Sequence, residues 1–131
     1  MGYRSDVTII MYPSENHRDK FAALKLFVDE NLPDEFEVIG EGDKRYLHCF
    51  IDCVKWYDGY EEVDKYNKLF SEWDEMFADP DDPIAKEGLR AEPIFNYEFM
   101  RIGEEYEDVE YHQSCGADHA LNMSRETYVD L

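Results

Sequence analysis

The segment YEEVDKYNKLFSEWDEMF, residues 60–77, constrains the fold more than any other stretch of this 131-residue chain. Val63, Tyr66, Phe70, Trp73 and Phe77 recur at intervals of three, four, three and four. That spacing lines up one apolar stripe on an α-helix. Glu61, Glu62, Asp64, Lys68, Glu72, Asp74 and Glu75 fall largely outside the stripe. Such a helix is stable only when a second layer covers its aromatic side.

The rest of the chain supplies that layer. In YRSDVTIIMYP the β-branched run Val7 to Ile10 ends at Pro13 and predicts a first strand. Ser14 is a candidate cap for the next helix, and Glu15 suits the positive end of its dipole. Phe21, Leu24 and Val28 then recur at helical spacing, with Phe27 beside them, until NLPDE stops the helix. A short strand, 36–39, turns through GEGD into a long one, 45–57. Alternation in the long strand sets Leu47, Cys49, Ile51 and Cys53 against Tyr46, His48, Phe50, Val54 and Trp56. After a polar connector, AEPIFNYEFMRI alternates with Phe95, Tyr97 and Phe99 on one face and Ile94, Met100 and Ile102 on the other. ALNMSRETYV reads as a last strand. The order is β-α-β-β-α-β plus one strand, within a single domain spanning 1–131. It predicts an α+β fold of ferredoxin-like type: an antiparallel sheet, two helices on one face and an extra C-terminal strand.

Charge narrows the partners. There are 13 Lys plus Arg against 32 Asp plus Glu, for a net charge of −19. Duplex binding depends on cations displacing counterions, so direct nucleic-acid binding is disfavoured, as is an anionic membrane surface. Aromatic residues make up 15% of the chain, too many for an acidic disordered segment. No stretch is apolar enough for a membrane span or a signal-peptide core. Asp6 stands where a myristoylation pattern wants Ser or Thr. Cys49, Cys53 and Cys115 lack zinc-ribbon spacing and are expected to be reduced thiols in a cytosolic protein.

Few motifs carry chemistry. There is no GxGxxG and no Walker sequence. His48 and Cys49 are adjacent, so on a strand they face opposite ways and do not make a nucleophile–base pair. HQSCGADH offers His112, Cys115 and His119 as zinc ligands beside Asp118, one short of a structural site. RIGEEYEDVEY places Glu104, Glu105, Glu107, Asp108 and Glu110 within seven positions, around Tyr106. It has neither the alternating ligands nor the glycine of a calcium loop, nor the asymmetric pair of a glycosidase. No catalytic residue, cofactor or metal is therefore expected. A metal-binding protein or metal-dependent enzyme built on residues 104–119 is the alternative, and a self-associating structural or virion accessory protein is another.

What remains is charge geometry. Residues 58–87 hold eleven acids and three lysines. The predicted partner-binding set is Glu61, Glu62, Glu72, Asp74 and Glu75 on the second helix, joined by Glu104, Glu105, Tyr106, Glu107, Asp108 and Glu110. Tyrosine among acids suits a protein-binding surface, and acids on successive helical turns approach the charge density of a duplex.

The opening MGYRSDV and the later RIGEEYEDVE resemble a set of small, acidic bacteriophage proteins of unassigned function. These begin Gly-Tyr-Arg-Ser-Asp-Val and carry Arg-Ile-Gly-Glu-x-x-Glu-Asp after a late strand. The likeness covers the first strand and residues 101–108. It implies a non-enzymatic phage accessory protein in the host bacterial cytoplasm that inhibits or redirects a host protein with a basic surface. A nucleic-acid-binding defence factor, of the kind met by anti-restriction or anti-CRISPR proteins, is the preferred target class. Homodimerisation is compatible with this reading.

Overall fold

The computed structural model describes residues 5–32, 34–54, 56, 60–79, 81, 87–88, 93–103, 109–114, 121–122 and 128–129. In chain order they form β1 (Ser5–Pro13), a 3-10 turn (Glu15–Lys20), α1 (Phe21–Asn31), β2 (Glu37–Ile39), a second 3-10 turn (Gly42–Lys44) and β3 (Tyr46–Val54). Then follow α2 (Glu61–Met76), β4 (Phe95–Gly103), β5 (Val109–Gln113), β6 (Leu121–Asn122) and β7 (Tyr128–Val129). Five strands make one sheet in the order β2-β3-β1-β4-β5, and every neighbouring pair is antiparallel.

The α+β class and the helices on one face agree with the sequence pattern. The extra strand does not lie where the sequence places it. The fifth strand of the sheet is β5, built from VEYHQ at the end of the acidic run, where Val109 and Tyr111 alternate with Glu110 and His112. The described residues of ALNMSRETYV form β6 and β7, which pair with each other in a separate ribbon. The five-strand order thus differs from that of a four-stranded ferredoxin-like sheet.

Strand alternation sorts the core. Val7, Ile9 and Met11 of β1, Leu47 and Cys49 of β3, and Phe95, Tyr97 and Phe99 of β4 form one cluster with Phe21, Leu24 and Val28 of α1. Tyr66, Leu69 and Trp73 of α2 complete it. Trp73 is fully buried and its indole N–H donates to the Phe95 carbonyl at 2.8 Å. Phe70 is half-buried and stacks on Tyr97 with ring centroids 4.1 Å apart. The stripe is wider than the sequence reading made it, since Leu69 joins it, and Phe77 caps the helix instead of lying within it. A helix lying on a sheet buries more than one row of side chains.

The opposite face of the sheet is also partly enclosed. Ile10, Tyr12, Glu98 and Met100 are fully buried there, with Ile102 beside them. Phe50, across Thr8 from Met100, remains half exposed. The β2–β3 turn needs glycine at Gly40, where φ is +88° and a Cβ would sit 2.6 Å from the Lys44 carbonyl oxygen.

Candidate functional site

The outer face of α2 carries five exposed acids and two exposed lysines. Val63, Tyr66, Leu69 and Trp73 point inward, so Glu61, Glu62, Asp64, Lys65, Lys68, Glu72 and Glu75 are turned outward and exposed. Lys65 and Lys68 divide the acids into two groups. Glu61, Glu62 and Asp64 occupy the first turn. There the helix dipole stabilises a negative charge, worth about 0.3–1 kcal/mol per exposed group. Glu72, Asp74 and Glu75 occupy the other end, where the same dipole repels them, and the last turn holds no basic residue. Two large apolar side chains frame the face: Tyr60 at its start and Met76 at its end are 48% and 44% exposed. At 1.5 Å per residue the helix between them runs about 24 Å.

Asp74 departs from its expected place on the outer face. It is half-buried, four residues after Phe70, on the side of the helix that meets β4. Burial chiefly, with the Asp74 charge added, pushes the Tyr97 hydroxyl up to about 12. Asp74 therefore belongs to the helix–sheet contact.

Glu104, Glu105, Tyr106, Glu107 and Asp108 lie outside the described residues. Glu110 is described. It is exposed on the edge strand β5, opposite Arg101. Arg101 is buried, donating to Ser5 Oγ at 2.9 Å and to Glu110 Oε1 at 2.7 Å. A buried guanidinium left without its carboxylate is costly, so Glu110 has a structural task besides any contact it makes outside.

Of the HQSCGADH residues, His112 is exposed on β5, its ring 5.7 Å from that of Phe99 and its Nε2 3.7 Å from Glu110 Oε2. Cys115, Asp118 and His119 lie outside the described residues. No three His, Cys, Asp or Glu side chains gather as metal ligands among the described residues. Cys49 is a free thiol in the core. Burial, reinforced by Asp34, pushes it up to about 12, so it is held protonated and unreactive.

The sequence reading missed Glu98. This carboxylate is fully buried in β4, where Oε2 accepts the Tyr12 hydroxyl at 2.6 Å and Oε1 the Tyr111 hydroxyl at 2.6 Å. Burial first, then the hydrogen bond to Glu98, drives the Tyr111 pKa well upward. The signal was present as an acid at the parity of Met100 and Ile102. Its partners, however, stand 86 and 13 positions away. The arrangement joins β1, β4 and β5 across one face of the sheet.

No protein-family model matches the chain, and no curated protein or solved structure is significantly similar to it. Among the described residues no helix is long and apolar enough to cross a membrane.

Proposed function

We propose that this is a non-enzymatic bacteriophage accessory protein, acting in the host cytoplasm. It binds a basic, nucleic-acid-binding host protein through the outer face of α2 and so inhibits or redirects it. The observation that carries the reading is the placement of Glu72 and Glu75. They are exposed at the end of α2 where the dipole disfavours them, with no basic residue in the last turn. Helix stability would be served by Lys or Arg at these positions. Carboxylates kept there at a cost to the helix are accounted for by a cationic partner. Tyr60 and Met76 supply apolar anchors at either end of the charged face, and the overall charge of −19 favours rapid encounter with a basic surface.

The segment 104–108 adds to the same negative field in this reading, with Tyr106 as a further anchor. The order β2-β3-β1-β4, with α1 and α2 as its two crossovers, supports a ferredoxin-like unit to which β5 has been added at the edge. The test is affinity capture from lysate of the bacterial host, with the intact protein and a Glu72→Lys/Glu75→Lys variant as parallel baits. Proteins retained by the first alone, and displaced by duplex DNA, support the reading.

A further inference from the structure

A chain of polar side chains joins the end of β1 to the segment after α2. Ser14 Oγ lies 3.1 Å from His17 Nδ1. On the other side of the ring, His17 Nε2 lies 3.1 Å from Asp79 Oδ2. The Asp79 carboxylate is itself fixed, because its Oδ1 accepts the Asp81 backbone N–H at 2.9 Å. His17 and Asp79 side chains are each 20% exposed, so the group is screened but reachable.

The expected role of Ser14 as a helix cap is not what the structure has. Ser14 holds the N-cap position but makes no capping bond. Its hydroxyl donates to the Ile94 carbonyl at 2.8 Å, and its backbone N–H donates to that same oxygen at 2.8 Å. The carbonyl is therefore satisfied whichever way the hydroxyl turns, which leaves the O–H free to rotate toward His17. An ionised carboxylate only accepts hydrogen bonds, so the Asp79 contact requires the imidazole proton on Nε2. In the neutral ring Nδ1 then keeps its lone pair, facing Ser14.

A hydroxyl within reach of a base that a third group orients is the arrangement of an activated nucleophile. We propose that Ser14 is a nucleophile toward small carboxylic esters and related acyl or phosphonyl electrophiles, with His17 as its general base and Asp79 as the positioning residue. Ser14 Oγ forms a bond to the carbonyl carbon as its proton passes to His17 Nδ1. The tetrahedral adduct expels the alcohol, which takes that proton from His17. Water, deprotonated by the same nitrogen, then attacks the acyl-serine, releasing the acid and returning the proton to Ser14. The balance is ester plus water giving acid plus alcohol, with no other reactant. The inference rests on residues that the binding reading does not use, so the acidic binding surface stands or falls without it; turnover at Ser14 would, however, replace the non-enzymatic part of that reading.

The experiment is labelling of the purified full-length protein with a fluorophosphonate probe, with the modified residue located by mass spectrometry. The expected result is one label per chain, on Ser14, formed by the native protein and not by protein unfolded in urea. His17→Ala should label about 10²-fold more slowly and recover in part when imidazole is added to the buffer. Asp79→Asn, which lets the ring turn to the wrong tautomer, should also slow labelling. Thermal melting reports whether each variant is folded. No label on Ser14 in the native protein overturns the proposal. So does labelling that proceeds equally in urea, or a folded His17→Ala variant that labels at the native rate. Any of these results would leave the contacts as a tie from Ser14 and His17 to Asp79 and Ile94.

Discussion

At Glu98 a carboxylate is enclosed on the less covered side of the sheet, and each of its oxygens receives a tyrosine hydroxyl. Both bonds are short, and their value lies mainly in what their loss leaves behind. Glu98→Leu should destabilise by about 1–3 kcal/mol through the fully buried Tyr12 hydroxyl, since the Tyr111 hydroxyl retains Gln113 Oε1 at 2.8 Å. Combining it with Tyr12→Phe should recover part of the loss, as denaturant unfolding of the single and double variants would register. Strict additivity of the two changes would mean that the contact is energetically idle. Titration provides a second residue-scale prediction. Cys49 and Tyr97 are pushed from 9.0 and 10.0 to about 12, in both cases chiefly by burial. Both are neutral when protonated, so the unfolded chain ionises first as pH rises. Their contribution is complete below about pH 9 and is lost progressively up to about 12. The denaturant midpoint should fall between pH 8 and 11, and Tyr97→Phe should blunt the fall. A midpoint that stays flat over this range would contradict the burial assigned to both groups.

At the scale of elements, α2 carries opposite electrostatics at its two ends. Glu61→Lys/Glu62→Lys removes acids that the dipole favours and should lower the melting temperature. Glu72→Lys/Glu75→Lys removes acids that it disfavours and should raise it. Each substitution should be worth about 0.3–1 kcal/mol at low salt and less at high salt. Equal shifts from the two pairs would show that the dipole does not govern this face. Much of this helix was legible in the sequence, because large apolar residues at three-four spacing have one low-energy solution. Asp74 was misread as an outer-face acid, although its position one turn after Phe70 turns it toward β4. The strands were readable from alternation, including the two faces of β3. β5 was not, since the density of carboxylates masked the alternation of Val109 and Tyr111. Ser14 carried the composition of a cap, but its hydroxyl meets the Ile94 carbonyl and the His17 ring instead of a helix N–H. That oxygen lies 80 positions away, and local sequence does not encode such a meeting.

For the whole molecule, two layers of burial hold a rigid sheet while the negative charge is displayed on α2. Binding through this display should be fast at low ionic strength and weaken as salt rises, with charge changes acting mainly on association and apolar anchors on dissociation. On the proposed reading the acidic face is a compromise in which helix stability is surrendered for recognition, a common form of stability–function conflict. The most direct measurement compares melting temperature and partner binding for the intact protein and Glu72→Lys/Glu75→Lys, using the basic host protein recovered by capture. The variant should melt higher yet associate more slowly, and the intact protein's binding should decline as salt is raised from low to physiological levels. A variant that binds at the native rate, with affinity indifferent to salt, would contradict this reading and leave the acids of α2 as a solubilising surface.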